Sequence, residues 1–140
     1  FGAARLASAE APPVPGVKLR IVQPNLPQDA KFHPSNGQEI LRGYLALSDR
    51  ATGPETRGIA DATHIVWPES AFPFLLHREP VALSQIADAL PAGAALVTGA
   101  ARSSDPPPGE TGLRYYNSIQ AVGDAGAIVA TYDKVHLVPF

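Results

Sequence analysis

Apolar and polar residues recur along the first half of the chain with periods that predict a strand and then a helix. From Val17 to Gln23 they alternate, which is typical of a half-buried strand that Pro24 ends. Farther on, apolar residues recur at steps of three and four, which predicts an amphipathic helix over about 36–50. The segment Ser35-Asn36-Gly37-Gln38 has the form of a capping box at its start.

The second half of the chain predicts a helix and four further strands, joined by loops rich in Gly and Pro. The expected elements are a buried strand over Thr63–Trp67, a helix from Pro80 that stops at Pro91, a strand over Ala94–Thr98 closed by Gly99, a surface loop over Arg102–Gly112, and a hairpin of Tyr115–Val122 with Ala127–Tyr132. The order strand, helix, strand favours a layered α/β fold, because parallel strands need a crossover connection.

Composition limits the function classes. The 140 residues are 45% hydrophobic and 17% charged, which suits one globular unit. A net charge of −2 with both signs scattered gives no basic face, so no nucleic-acid partner is expected. There is no cysteine, which excludes a disulfide and a thiol nucleophile within the chain. The four histidines have no metal-ligand spacing, so no metal site is expected.

Two charged residues follow apolar strands and are candidates for chemistry. Glu69 comes directly after the strand that ends at Trp67 and Pro68, and Lys134 follows the strand that ends at Tyr132. Ligand sites in α/β sheets gather at one edge, so we expect both side chains to project from neighbouring strand ends and to meet within about 4–6 Å. Taken singly, each residue is more often a solvated surface charge.

The two candidates belong to a wider pattern. Trp67-Pro68-Glu69, followed later by Lys134 within Tyr-Asp-Lys-Val-His-Leu-Val-Pro-Phe, resembles the nitrilase (carbon-nitrogen hydrolase) superfamily. Val22-Gln23-Pro24-Asn25-Leu26-Pro27-Gln28, Pro-Glu-Ser-Ala and His-Leu-Val-Pro-Phe resemble one membrane-bound branch of it more narrowly, the apolipoprotein N-acyltransferases. The resemblance runs from about Lys18 to Phe140.

The resemblance implies a fold and a set of roles. The fold would be an α/β, nitrilase-type α-β-β-α sandwich, present here as its N-terminal portion, so one sheet face would lack its partner layer. Glu69 would be the base, in an enclosed setting beside Trp67 and Phe72 that raises its pKa, and Lys134 would stabilise an oxyanion. The nucleophilic cysteine would lie outside this chain. Asn117 would support the site, and Phe32 would bind substrate.

The resemblance also implies substrates and a location. An acyl chain would pass from a phospholipid donor to the N-terminal amine of a diacylglyceryl-modified lipoprotein, through a thioester and without a cofactor. The enzyme would lie in the cell inner membrane, with its catalytic domain on the periplasmic side and its membrane segments outside this chain. No apolar run here approaches the roughly 20 residues that a spanning helix needs.

This interpretation predicts two regions: residues 1–16, rich in Ala and Pro, form a linker after a truncated membrane region, and residues 17–140 form the N-terminal part of a carbon-nitrogen hydrolase domain. Two alternatives remain open. One is a soluble nitrilase-type amidase that gives its acyl group to water. The other is a non-catalytic α/β interaction domain in which Glu69 and Lys134 are surface charges.

Overall fold

A single five-stranded sheet, with its strands in chain order, organises the computed structural model, which describes residues 12–27 and 33–137. The elements are β1 (Leu19–Ile21), α1 (Gly37–Asp49), β2 (His64–Val66), α2 (Pro80–Ala89), β3 (Ala95–Ser104), β4 (Arg114–Gly123) and β5 (Ile128–Asp133), with short 3-10 helices at Pro34–Asn36, Gly58–Asp61 and Leu76–Arg78.

Strand direction follows from the connections. The pairs β1–β2 and β2–β3 are parallel and are joined through the two helices, whereas β3–β4 and β4–β5 are antiparallel hairpin pairs. Four of the five strands therefore run the same way, and only β4 is reversed. The α/β class, the parallel first pair and the hairpin are confirmed.

Both predicted helices form close to their expected bounds. In α1 the residues Ile40, Leu41 and Tyr44 are buried, as the three- and four-residue spacing requires. The capping box is wrong: the 3-10 turn moves the helix start by one residue, so Asn36 is the N-cap residue. The Ser35 hydroxyl lies 2.7 Å from the His33 ring nitrogen Nδ1 instead.

The predicted end of the third strand is also wrong. Gly99 does not close β3, because the strand pairs with β4 over ten residues and continues to Ser104. Gly99 itself lies opposite Ile119 in that ladder. The strand takes in 102–104 from the expected surface loop, which is reduced to 105–113. A long antiparallel ladder satisfies backbone groups on both strands and outweighs the local tendency of glycine to interrupt a strand.

The two faces of the sheet differ. On one face, Ile65, Leu96 and Val122 are almost completely buried in one core with residues of α1 and α2. The opposite face, which we call the open face, carries exposed apolar side chains. These are Leu19, Ile21, Ile119 and Tyr132, with exposed fractions of 60%, 74%, 53% and 65%. No described element covers them, which agrees with the expected lack of a partner layer.

Strand β1 corrects one expectation. The apolar residues of its alternating pattern, Leu19 and Ile21, were expected to be its buried side, but they lie on the open face. Val22 points to the core and is 4% exposed. The guanidinium of Arg20 also reaches the helix layer, where it donates to the carbonyl oxygen of Leu47 at 3.1 Å. The polar side of the β1 pattern therefore faces the helix layer and contacts the C-terminal end of α1.

Candidate active site

The loop after β2 places Glu69 against the middle of β3. The Gly99 N–H donates to the Pro68 carbonyl oxygen at 3.2 Å, and the Ala71 N–H donates to the Gly99 carbonyl oxygen at 2.9 Å. Pro68 provides no N–H for a ladder, so regular pairing stops and the chain turns. Glu69 and Ser70 consequently lie directly beside Gly99.

Gly99 is required by this close approach. A Cβ atom on Gly99 would lie 2.5 Å from the Glu69 Cα and 2.7 Å from the Ser70 nitrogen. Both neighbours are backbone atoms, so they cannot rotate away as a side chain would. Ser70 adopts a left-handed φ of 50°, which is uncommon outside glycine and turns the loop over the strand.

Glu69 receives two hydrogen bonds at the same oxygen. Lys134 Nζ lies 2.9 Å from Glu69 Oε1, and the Asn117 side-chain amide donates to this Oε1 at 2.7 Å. The Lys134 backbone N–H also donates to the Asn117 carbonyl oxygen at 2.8 Å. The predicted meeting of Glu69 and Lys134 within about 4–6 Å is confirmed, and Asn117 joins them.

The route by which they meet differs from the prediction. Strands β2 and β5 are three places apart in the sheet, so Glu69 and Lys134 do not follow neighbouring strands. The distance is bridged because the Glu69 loop lies beside β3 at Gly99, while Lys134 is bonded to β4 at Asn117. Strands β3 and β4 are direct neighbours, about 4.8 Å apart.

A cavity of about 340 Å³ adjoins the three polar groups. Its apolar lining includes Val66, Val97, Ile119 and Tyr132 from the open face, and Glu69, Asn117 and Lys134 also line it. The arrangement combines a carboxylate, an amide and a lysine amine with an apolar surface.

The enclosed setting expected for Glu69 is not supplied by the described residues. The Glu69 side chain is 62% exposed and that of Lys134 is 34% exposed. Trp67 is in the core, as expected, where its indole N–H donates to the Ser48 hydroxyl at 2.9 Å and its ring stacks on Tyr44. Phe72 is 4% exposed and stacks on Phe74.

A second polar cluster was missed by the sequence analysis. Asp133 Oδ1 accepts from Arg102 Nε and from the Ser118 hydroxyl, each at 2.7 Å, and Arg102 also bonds Oδ2. The hydrogen bonds from Arg102 and Ser118 lower the pKa of Asp133 to about 2. Arg102 was assigned to a loop, so its pairing across the sheet was not visible. Two registers are needed to reveal it, because β3 on β4 places Arg102 opposite Tyr116 and β4 on β5 places Ser118 opposite Asp133.

Phe32, the predicted substrate-binding residue, lies outside the described residues. Among residues 12–27 and 33–137, no group of three or more His, Asp and Glu side chains is placed to hold a metal ion. No helix in the same residues has the length and apolar character to cross a membrane.

Comparison with known proteins finds close relatives by sequence. The chain is 52% identical over its whole length to an apolipoprotein N-acyltransferase of Bradyrhizobium diazoefficiens and 51% identical to one of Rhodopseudomonas palustris. A third, from Allorhizobium ampelinum, is 45% identical. In each case the match covers 100% of this chain and 26% of the relative, so the chain spans about a quarter of the length of these proteins.

No protein-family model matches the chain. A solved structure of glutamine-dependent NAD+ synthetase from Acinetobacter baumannii, in complex with ADP, matches 79% of this chain and 20% of its own chain, with 20% identity and a TM-score of 0.48. The resemblance by sequence is confirmed: over its whole length, this chain matches a segment of about a quarter of the length of apolipoprotein N-acyltransferases.

Proposed function

We propose that this chain is part of the catalytic domain of an apolipoprotein N-acyltransferase, with Glu69 as the general base and Lys134 as the group that stabilises the oxyanion. The observation that carries the proposal is the 2.9 Å contact between Lys134 Nζ and Glu69 Oε1, made across 65 residues of chain. The names of the relatives support the acyl-transfer chemistry. Both residues also line the same largely apolar cavity, with Asn117 beside them.

The proposed reaction has two steps. A cysteine outside this chain attacks the ester carbonyl of a phospholipid, Glu69 accepts the thiol proton, and the carbonyl oxygen becomes an oxyanion beside the Lys134 ammonium. The C–O bond then breaks, the released alkoxide regains the proton from Glu69, and an acyl thioester remains. The amine of a diacylglyceryl-modified lipoprotein then attacks the thioester carbonyl and passes a proton to Glu69. The C–S bond breaks, the released thiolate regains that proton from Glu69, and the lipoprotein leaves as an N-acyl amide. The Asn117 amide holds the Glu69 carboxylate in place throughout.

The domain arrangement belongs to the same proposal. Residues 17–140 form the N-terminal part of a carbon-nitrogen hydrolase domain, and residues 1–16 link it to a membrane region. The domain lies on the periplasmic side of the inner membrane, and Phe32 contacts the acyl substrate. The match covers only 26% of the relative's length, so the relative has chain outside the matched segment for membrane segments, for the nucleophile and for a layer over the open face.

Substitution of the base in the full-length protein tests the catalytic assignment. Glu69→Gln keeps the shape of the side chain but cannot accept the thiol proton, so the protein should fold and form no acyl-enzyme. The measurement is intact-protein mass spectrometry after incubation with phospholipid. Glu55→Gln, which changes an exposed carboxylate away from the site, is the matched control and should be acylated normally. Normal acylation of Glu69→Gln would show that Glu69 is not the base.

The acceptor distinguishes the transferase from an amidase. With phospholipid and a diacylglyceryl-cysteine peptide together, the proposal expects an N-acylated peptide. Release of free fatty acid instead, with the peptide unchanged, would mean that water is the acceptor. The 140-residue chain without the rest of the protein should turn over neither substrate, because it contains no cysteine.

A further inference from the structure

Two pairs of adjacent residues present side chains to opposite faces of the sheet. On β4, Asn117 faces the open side and bonds Glu69, while Ser118 faces the helix side and bonds Asp133. At the end of β5, Lys134 reaches Glu69, and the preceding Asp133 faces the helix side. Successive side chains alternate in this way along a strand. The polar cluster around Asp133 therefore lies directly behind the candidate active site.

Asp133 is tied to two other strands. Both of its carboxylate oxygens are bonded by the guanidinium of Arg102 from β3, and Ser118 donates from β4. Paired contacts of this kind between a planar guanidinium and a carboxylate fix orientation as well as distance. The Arg102 guanidinium also makes a cation–π contact, because its Cζ lies 4.1 Å from the centre of the Tyr116 ring. The side chain of Asp133 thus attaches the end of β5 to both β3 and β4.

The position of the Lys134 amine depends on this attachment of the end of β5. The lysine side chain is long and has many rotamers, so a fixed position for Nζ requires a fixed backbone. Asp133 is the last residue of β5, and beyond it the described chain is exposed, with Val135 and Leu137 at 73% and 69%. The backbone hydrogen bond from the Lys134 N–H to the Asn117 carbonyl oxygen is a second support at this point. Without Asp133, the strand would be free to fray at the residue that carries the amine.

We propose that Asp133, held by Arg102 and Ser118, is a positioning residue that sets the location of the Lys134 amine at the site. The idea rests on the proposed function, since it assigns Asp133 a role through Lys134. An aspartate with the ordinary pKa of 3.8 is already charged at neutral pH, and the hydrogen bonds from Arg102 and Ser118 lower the pKa of Asp133 further, so the carboxylate that pairs with Arg102 stays ionised well into the acid range. A pair with only a structural role would affect unfolding but not the placement of the amine.

The test uses the full-length protein and three variants. Asp133→Asn keeps the size of the side chain and removes its charge, and Arg102→Gln removes the partner. Glu110→Gln is the matched control, because Glu110 also pairs with an arginine, Arg114, but in an exposed contact next to the β3–β4 loop. Rates are measured per folded molecule, with kcat and KM separated.

The first readout is kinetic. Because Lys134 acts on charge that develops during the reaction, Asp133→Asn and Arg102→Gln should lower kcat by roughly tenfold to a hundredfold and leave KM nearly unchanged. Glu110→Gln should leave both constants unchanged. An unaltered kcat in Asp133→Asn, with only a lower unfolding temperature, would overturn the proposal in favour of a structural role.

The second readout is spectroscopic. Lysines are reductively methylated with ¹³C-formaldehyde, and the Lys134 signal is assigned by its loss in Lys134→Arg. Asp133→Asn should move this signal toward that of a solvated lysine, and Glu110→Gln should not; a stationary signal would contradict the proposal.

If Glu69→Gln and Lys134→Arg themselves keep normal turnover, the proposed function fails. If they abolish turnover while Asp133→Asn does not, only the positioning role fails.

Discussion

The two faces of this sheet are built from the same strands and have opposite roles. On the helix face the alternating residues Leu96, Thr98 and Ala100 of β3 are each 1% exposed. On the open face Ile119 is 53% exposed and Tyr132 is 65% exposed, beside the contact of Glu69 with Lys134. The buried apolar area that stabilises the described part of the chain lies on the first face. The candidate chemistry lies on the second, so substitutions of apolar core residues should change stability without touching the contact between Glu69 and Lys134.

The largest difference between the faces should appear in the free energy of unfolding. Leu41, on α1 in the core, is 0% exposed, and Leu41→Ala should lower the free energy of unfolding by about 2–5 kcal/mol. Ile119→Ala, on the open face, should lower it by less than about 1 kcal/mol in this chain, because half of the side chain is already in water. Urea unfolding followed by Trp67 fluorescence gives both values.

The same pair of substitutions in the full-length protein sharpens the comparison. A layer over the open face would raise the cost of Ile119→Ala toward the range of a buried residue, while the cost of Leu41→Ala should stay the same. Equal costs for Ile119→Ala in the two proteins would mean that the open face stays exposed in the longer one.

The next largest effect is expected at Gly99, where the Glu69 loop contacts β3. Gly99→Ala places a methyl group 2.5 Å from the Glu69 Cα, so the loop must move away, at a cost of about 1–3 kcal/mol in the free energy of unfolding. In the full-length protein, turnover should fall more than stability suggests, because Glu69 is displaced. Gly43→Ala is the control: no atom lies within 4 Å of its added Cβ, and α1 should gain about 0.5–1 kcal/mol. Full turnover in Gly99→Ala would disprove the close contact.

The smallest effect is a pH dependence that comes from the helix face. The folded-state pKa of Asp133, about 2, is below its ordinary value of 3.8, so its contribution to stability is present above about pH 4 and is lost as the pH falls toward 2. The pair is partly exposed, so the contribution should be below about 1 kcal/mol. In Asp133→Asn, the free energy of unfolding should change less with pH over this interval. If chemical unfolding shows the same loss of stability at acid pH in Asp133→Asn as in the unsubstituted protein, Asp133 is not its source.

Much of the fold was accessible from the sequence because its periods are local. The spacing of Ile40, Leu41 and Tyr44 placed α1 within one residue at each end. The meeting of Glu69 with Lys134 was also predicted, but from neighbouring strand ends, whereas the loop contact at Gly99 brings it about. Three details depended on tertiary pairing instead. The passage of β3 through Gly99, the choice of buried side in β1 and the attachment of Arg102 to Asp133 are all set by partners distant in sequence. A local pattern shows that a strand has an apolar side, but it does not show which layer covers that side.

The contact between the Glu69 loop and Gly99 has a consequence for the order of folding. The hairpins β3–β4 and β4–β5 join residues close in sequence, so we expect them to form early, and they already place Asn117 beside Lys134. Glu69 can reach them only after β2 has docked in parallel on β3, a step that requires a larger loop closure. The ion pair is therefore among the last contacts to form. A molecule in which Lys134 is bonded to Glu69 has therefore docked β2 on β3, and a partly folded molecule without that docking lacks the assembled site.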